Sequence, residues 1–188
     1  MNKKVIDAIA PRHTAVEREN TVLVTVKGAP DTPQQEPRPR HPKMLSLDTK
    51  MALFANQLYI EQVDAVVLQQ GEEITLMKLY PEENATKTQK KIQWLTFQGE
   101  EFIGAELWDF NYHLLTKNSL AKEDNLGKYL NPVTATIPDA WVGSAFNELT
   151  EGDIIELERK GYFRVDKGIG QGPGGKAVLF KIPTGASK

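Results

Sequence analysis

Residues 152–166 read GDIIELERKGYFRVD. Apolar and β-branched residues flank a short charged turn, so DIIELE (153–158) and YFRVD (162–166) read as two strands joined through RKGY. A third strand, AVLFKI (177–182), follows the glycine-rich GIGQGPGG (168–175). There is little convincing helical spacing elsewhere in the chain, and this succession of strands argues for an antiparallel β class.

Further strand signals recur towards the N-terminus: FIGAELWDF (102–110), KIQWLTF (91–97), ITLMKLY (74–80), LYI (58–60) and TVLVTV (21–26). PEENATKTQ and QGEE supply turns between the later ones. Residues 112–130 read as helical or irregular, and NPVTATIPDA (131–140) carries two prolines. The stretch GAPDTPQQEPRPRHPK (28–43) holds five prolines and reads as an extended surface connection. Before all of these, Val5, Ile6 and Ile9 share one helical face and Pro11 stops the run. With no partner before Asn2, this reads as the end of a longer helix, and the chain as a piece of a longer protein. Strands at such spacing predict a mostly all-β protein built as antiparallel barrels or a sandwich.

Composition narrows the function. The 188 residues carry 23 Lys+Arg against 25 Asp+Glu, a formal net charge of -2, so any nucleic-acid site must be a local patch on a near-neutral body. Cysteine is absent, which removes disulfides, thiolate chemistry and Cys-ligated metals. Three widely spaced histidines (His13, His41, His113) supply no zinc set. No apolar run approaches the ~18 residues of a membrane span, and no signal-peptide core opens the chain. The reading is a soluble intracellular protein, with the cytoplasm as its compartment.

Motifs that suggest catalysis dissolve on inspection. GQGPGG (170–175) satisfies a dinucleotide fingerprint, and GQGPGGKA (170–177) nearly satisfies a phosphate-binding loop. Both require a helix after the glycines, whose N-terminal amides hold the phosphate, and a strand follows here. PKMLS (42–46) echoes a lysine-rich adenylate loop but sits in the proline-rich connection. Glu100, Glu101, Glu106 and Asp109 read as a solvated face and turn, and no serine or threonine has a base and orienter set around it. The predicted catalytic residues and metal ligands of this chain are none.

The opening NKKVIDAIAPRHTAV (2–16) resembles a junction in the eukaryotic and archaeal type of glutamyl-tRNA synthetase, of the class I glutamyl/glutaminyl family, where the catalytic half meets the C-terminal anticodon-binding region. His41-Pro42, LYIEQVDA (58–65), QGEEITLMKLY (70–80), IQWL (92–95) and GDIIELERKGYF (152–163) follow in the family's order. The class I adenylate signatures His-Ile-Gly-His and Lys-Met-Ser-Lys-Ser are absent from this sequence. The resemblance implies two β barrels, a distal one inserted in a proximal one. The implied division is 1–11 for the end of the connecting helix, 12–57 with 148–188 for the proximal barrel, and 58–147 for the distal barrel. It also implies recognition of the anticodon loop of tRNA(Glu), whose unstacked bases can be splayed and read on their edges. ATP and Mg2+ belong, on this reading, to the parent ligase's catalytic half, and this chain alone is expected to be non-catalytic and to need no cofactor. The rival readings are the same module of a glutaminyl-tRNA synthetase, or a β-barrel scaffold for RNA or protein.

Carried over residue by residue, the resemblance nominates Arg12, Glu156 and Arg159 as anticodon-binding residues. In the glutaminyl branch, the arginine of Ala-Pro-Arg and the arginine before Gly-Tyr-Phe help to read a middle uracil. Physically, both arginines are fork-shaped donors suited to carbonyl oxygens; Arg12 has its backbone fixed by the junction after Pro11, and Arg159 lies at the RKGY turn, where strand alternation does not dictate its direction. Relatives often carry glutamine where Glu156 stands. A carboxylate only accepts, so Glu156 either favours the N3–H of uracil or pairs with a neighbouring cation. Thr75 and Met77 stand where the glutaminyl branch has base-reading arginines, so that part of its readout does not transfer. Ala8 replaces a usual proline, which bears on helix geometry. For Arg12 the alternative is an ion pair with Asp7 or Glu17. Trp94, Trp108, Tyr80 and Phe163 read as core ahead of base-stacking platforms. Lys3, Lys4, Arg38, Arg40, Lys87, Lys90 and Lys91 read as solvated, with phosphate contact as the alternative.

Overall fold

The computed structural model describes residues 5–40, 48–77, 88–97, 103–110, 115–116 and 119–183. Its first nine strands are β1 (Arg12–His13), β2 (Ala15–Glu17), β3 (Thr21–Thr25), β4 (Gln34–Pro39), β5 (Thr49–Phe54), β6 (Gln57–Glu61), β7 (Thr75–Leu76), β8 (Lys91–Ile92) and β9 (Leu95–Thr96). Six more follow: β10 (Ile103–Phe110), β11 (Ala135–Thr136), β12 (Asp139–Val142), β13 (Ile154–Leu157), β14 (Gly161–Lys167) and β15 (Ala177–Lys181). One short helix, α1 (Gln62–Ala65), follows β6 directly.

The mostly-β expectation holds, and the largest sheet is nearly closed. Its order is β1-β13-β14-β15-β10-β12-β2, with β11 paired to β10 at one end. The first and last members are neighbours in sequence, separated only by Thr14. Residues 12–13 pair with β13 on one side, and residues 15–17 pair with β12 on the other. A single extended segment thus seams the two edges, which removes the unpaired rows that open sheets expose. Alternation along the strands fills the interior: Ala105 and Leu107, Ala140 and Val142, Ile155 and Leu157, Phe163 and Val165, Ala177 and Leu179, with Phe146 against them. At about 25 cal/mol per Å² of apolar area removed from water, each fully buried Leu, Ile or Phe of this set contributes roughly 1.5–3 kcal/mol.

Everything between β2 and β10 forms three smaller sheets, β3-β6-β9, β4-β5 and β7-β8. The strands at 103–110 and 139–142 fall within the range 58–147 expected for the distal barrel, yet they pair with β15 and β2 in the large sheet. The segment interrupting that sheet therefore starts after residue 17 and ends before residue 103. The physical reason is pairing across long separations, such as Leu107 with Leu179, which local patterns do not encode.

One expectation changes, and it concerns the proline-rich connection. Gln34–Pro39 is a strand, paired antiparallel with Thr49–Phe54. Pro37 and Pro39 stand at odd positions, whereas the N–H of Arg40 bonds to the carbonyl of Asp48 at 3.1 Å. Even positions face the partner strand, so the missing proline donors point away from the ladder and cost it nothing. The strand expected over 91–97 is split into β8 and β9, which pair with different partners, β7 and β6. In the glycine-rich loop, Gly170 and Gly172 donate to the carbonyls of Gly175 and Lys176 at 2.8 and 2.9 Å, and strand β15 follows as expected. Tyr80, His41, His113, Glu100, Glu101, Lys3, Lys4, Lys87 and PKMLS lie outside the described residues.

Candidate nucleic-acid interface

Arg12 is held first through its backbone. Its N–H donates to the carbonyl of Arg40 at 2.8 Å, and its own carbonyl accepts from Lys50 Nζ. Beside it, the N–H of Glu156 donates to the carbonyl of Pro11 at 2.9 Å. The register places Arg12 opposite Glu156 and Glu156 opposite Tyr162, so three adjacent strands carry these side chains in one row. Ile155 and Leu157 point into the barrel, which sends Glu156 to the outer face.

The row is charged and tightly coupled. Arg12 Nε lies 2.7 Å from Glu156 Oε2, with both side chains about one-fifth exposed. The Nε–H is not directed at that oxygen, so the contact is an ion pair without a hydrogen bond. Asp7 Oδ1 stands 3.9 Å from Arg12 Nη2 and accepts a 2.7 Å hydrogen bond from the Tyr162 hydroxyl. Burial pushes the Tyr162 phenol up to about 12, helped by that bond and by the negative charge of Glu156. Ile6 and Ala10 pack with Tyr162 in one small buried cluster, so the N-terminal segment lies against the Tyr162 end of the row. Of the alternatives for Arg12, Asp7 is a distant partner. Glu17 pairs with Lys160 at 2.9 Å, and the short contact is Glu156. Of those for Glu156, the cation pair is present in this structure.

Arg159 sits in a different environment. It occupies the turn between β13 and β14, where Lys160 N–H bonds to the Leu157 carbonyl at 3.0 Å. Its φ of 64° makes it the sole described non-glycine residue in the left-handed region. An L side chain there costs roughly 1–2 kcal/mol, so something in the surroundings must hold it. Its Nη1 donates to Asp64 Oδ2 at 2.5 Å; the aspartate side chain is 8% exposed and the arginine 47%. Asp64 lies on α1. That bond raises the Arg159 pKa above its already high ordinary value, so it is cationic at any working pH.

The whole turn reaches into the smaller unit. Glu158 accepts from Gln93 Nε2 at 3.3 Å, Arg159 binds Asp64, and Lys160 binds Glu61 at 2.5 Å. Three successive side chains thus take three partners on β6, α1 and the β8–β9 link. Asp64, Gln93 and Lys160 were missed by sequence reasoning. The quoted LYIEQVDA contains Asp64, yet nothing in local spacing pairs it with a residue 95 positions away. Arg12 and Glu156 are brought together, whereas Arg159 is held by a separate anchor.

The remaining candidates are accounted for individually. Phe163 is core, and Trp94 donates to the Met77 carbonyl at 2.5 Å while meeting Phe54 edge-on. Trp108 is half-buried on the outer face with Phe110 and Phe180, and Glu106 accepts its indole N–H at 3.1 Å. Asp109 pairs with Lys181 at 2.6 Å, Lys90 with Glu72 at 2.7 Å, Arg38 with Glu36 and Arg40 with Glu148. Thr75 is buried against Thr88. Among the described residues no helix is long and apolar enough to cross a membrane.

Two family models, both described as the anti-codon binding domain of tRNA synthetases class I (E and Q), match residues 10–97 and 91–166. The chain is 38% identical to the probable cytoplasmic glutamate--tRNA ligase of Schizosaccharomyces pombe, over 98% of the chain and 28% of that protein. It is 34% identical to the cytoplasmic glutamate--tRNA ligase of Saccharomyces cerevisiae over 99% of the chain, and 33% identical to that of Arabidopsis thaliana over 98%. The chain spans about 28% of the length of each of these relatives. The two models carry the same family description and together span residues 10–166, so the chain belongs to the anticodon-binding domains of class I tRNA synthetases for E and Q.

Proposed function

We propose that this chain is the anticodon-binding part of a cytoplasmic glutamate–tRNA ligase and binds the anticodon loop of tRNA(Glu). The observation that carries the reading is the pair of consecutive family matches over residues 10–166, on a chain whose relatives are named glutamate--tRNA ligases. Those names favour glutamate over glutamine as the parent enzyme's amino acid. Attachment of glutamate to tRNA with ATP and Mg2+ belongs to the rest of the ligase, and these residues recognise.

On this reading the large sheet is the proximal barrel and the segment between β2 and β10 is the distal unit nested in it. Arg12, Glu156 and Arg159 read the middle anticodon base. Glu156 holds the Arg12 guanidinium from one side and leaves its other N–H groups for uracil's carbonyl oxygens. Arg159 is anchored at Nη1 by Asp64 and half exposed, so the rest of its fork faces solvent. A body of net charge -2 suits this role: base edges are read by few fixed donors, and phosphates by scattered cations.

The test is a gel-shift series with tRNA(Glu), tRNA(Gln) and an unrelated tRNA at several salt concentrations. Preferential, salt-sensitive binding of tRNA(Glu) is expected, since phosphate contacts release counterions. Equal affinity for all three tRNAs would remove the anticodon reading, and preference for tRNA(Gln) would move the parent to the glutaminyl branch.

A further inference from the structure

Asp64 is a nearly buried carboxylate on a helix of four residues, while Val63 beside it and Val66 just past the helix end are exposed. A buried carboxylate without a cation is costly, so its placement against Arg159 has a consequence for one residue or the other. The guanidinium offers five N–H donors in a rigid fork. One nitrogen is committed to Asp64, and no other protein partner is present for the remainder among the described residues. The turn itself is pinned: Lys160 bonds to Leu157 through the backbone and to Glu61 and Glu17 through its ammonium. With the backbone at φ 64° and one guanidinium nitrogen tethered, the free edge of the fork has a restricted direction.

We propose that Asp64 is a positioning residue for base readout: it anchors one nitrogen of Arg159 so that the opposite edge of the guanidinium is presented to a base carbonyl of the bound RNA. The inference rests on the proposed anticodon reading. Asp64 touches no base; it acts through Arg159. The carboxylates facing this arginine are Asp64 and, at longer range, Glu61, which Lys160 already neutralises. Removing the Asp64 charge therefore takes away the one carboxylate, among the described residues, that is hydrogen-bonded to Arg159. Preorganised donors lose discrimination when their supporting contacts loosen, even if the donor itself remains.

The experiment measures binding of the chain and its D64N variant to two tRNA(Glu) transcripts, one with uracil and one with cytosine at the middle anticodon position. D64N keeps the shape of the side chain and removes the charge. Expected is a loss of about five- to tenfold on the uracil transcript, little change on the cytosine transcript, and no further effect of D64N on an R159A background. Arg159 Nε–H signals in NMR relaxation should show a more mobile guanidinium in D64N, and a binding loss confined to the uracil transcript is the readout that a merely structural aspartate would not give in a still-folded variant. If D64N fails to fold, D64E is read in the same way; it keeps the charge and displaces the anchor by one methylene, so a smaller loss confined to the uracil transcript is expected. A gain on both transcripts would overturn the proposal, showing that Asp64 only competes with RNA for the arginine. Equal losses on both, or none on either, would overturn it too. If R159A itself fails to distinguish the transcripts, the anticodon reading has failed at this residue. If R159A distinguishes them and D64N does not alter binding, only the positioning role has failed.

Discussion

Replacing Arg159 by glycine and by alanine separates its backbone from its side chain. Both substitutions delete the contact with Asp64, whose side chain is 8% exposed, and leave that carboxylate without its cation. Because Arg159 is half exposed and water can reach the site, this loss is about 1–3 kcal/mol, below the range for a fully buried pair. Alanine keeps the full cost of φ 64°, roughly 1–2 kcal/mol. Glycine relieves it but gives back ~0.5–1 kcal/mol through a more flexible unfolded chain. The glycine variant should therefore be the more stable of the two by about 1 kcal/mol, which is about 2–4 °C in Tm for a chain of this size. Asparagine, which tolerates the left-handed region, should fall between them. Urea unfolding of the three variants, with and without D64N, is the assay. The D64N background should remove the shared loss and leave the glycine–alanine difference intact. Equal stability of the glycine and alanine variants would mean that residue 159 does not hold the left-handed conformation, and the argued direction of its side chain would fall with it.

The other expectations concern the frame around the site. Tyr162, 4% exposed, has its phenol raised from about 10 to about 12, so the fold holds its proton more tightly than the unfolded chain does. That stabilisation is complete below pH 10 and is lost as pH rises towards 12, by roughly 2–3 kcal/mol; in Y162F this part of the alkaline slope should vanish in denaturation curves, at a neutral-pH cost of about 1 kcal/mol. Lys160 is 12% exposed and serves both Glu17 and Glu61, so K160M should lower the urea-derived stability by about 2 kcal/mol through two unpaired carboxylates. A Cβ at Gly172 would stand 2.3 Å from the Lys176 carbonyl oxygen and 2.9 Å from a Val178 methyl, so G172A should cost about 1–3 kcal/mol, whereas G170A, with open space around it, should show only backbone strain.

What the sequence made legible follows the range of the interactions involved. Strand identity at 21–26, 102–110, 153–158, 162–166 and 177–182 came from alternation and β-branched content, which act within a few residues, and the observed strands overlap every one. Strand β4 was hidden because its prolines mimic a linker; only its pairing with β5 shows that both face away from the ladder. TKMALF carries no alternation strong enough to nominate it alone. The limits of the nested segment were illegible for the same reason that Leu107 opposite Leu179 was: register across such a separation is set by the closed sheet and not by neighbours.

The site divides along the same line. Arg12 and Glu156 could be nominated from sequence because the motif holds each in local context, and a cation for Glu156 was already one of two readings. The anchor of Arg159 could not, because α1 and the β13–β14 turn lie 95 positions apart and only the tertiary fold brings them together. Three consecutive residues of that turn take partners from the smaller unit, and a turn with that task cannot also relax its backbone freely. A non-glycine residue in the left-handed region at its centre is consistent with that demand. Glycine would ease the strain and supply no guanidinium, so the position carries a local conflict resolved in favour of the side chain. Local preference and tertiary requirement disagree at Arg159 and agree at its neighbours, and that disagreement makes Arg159 the position at which the proposed readout is to be tested.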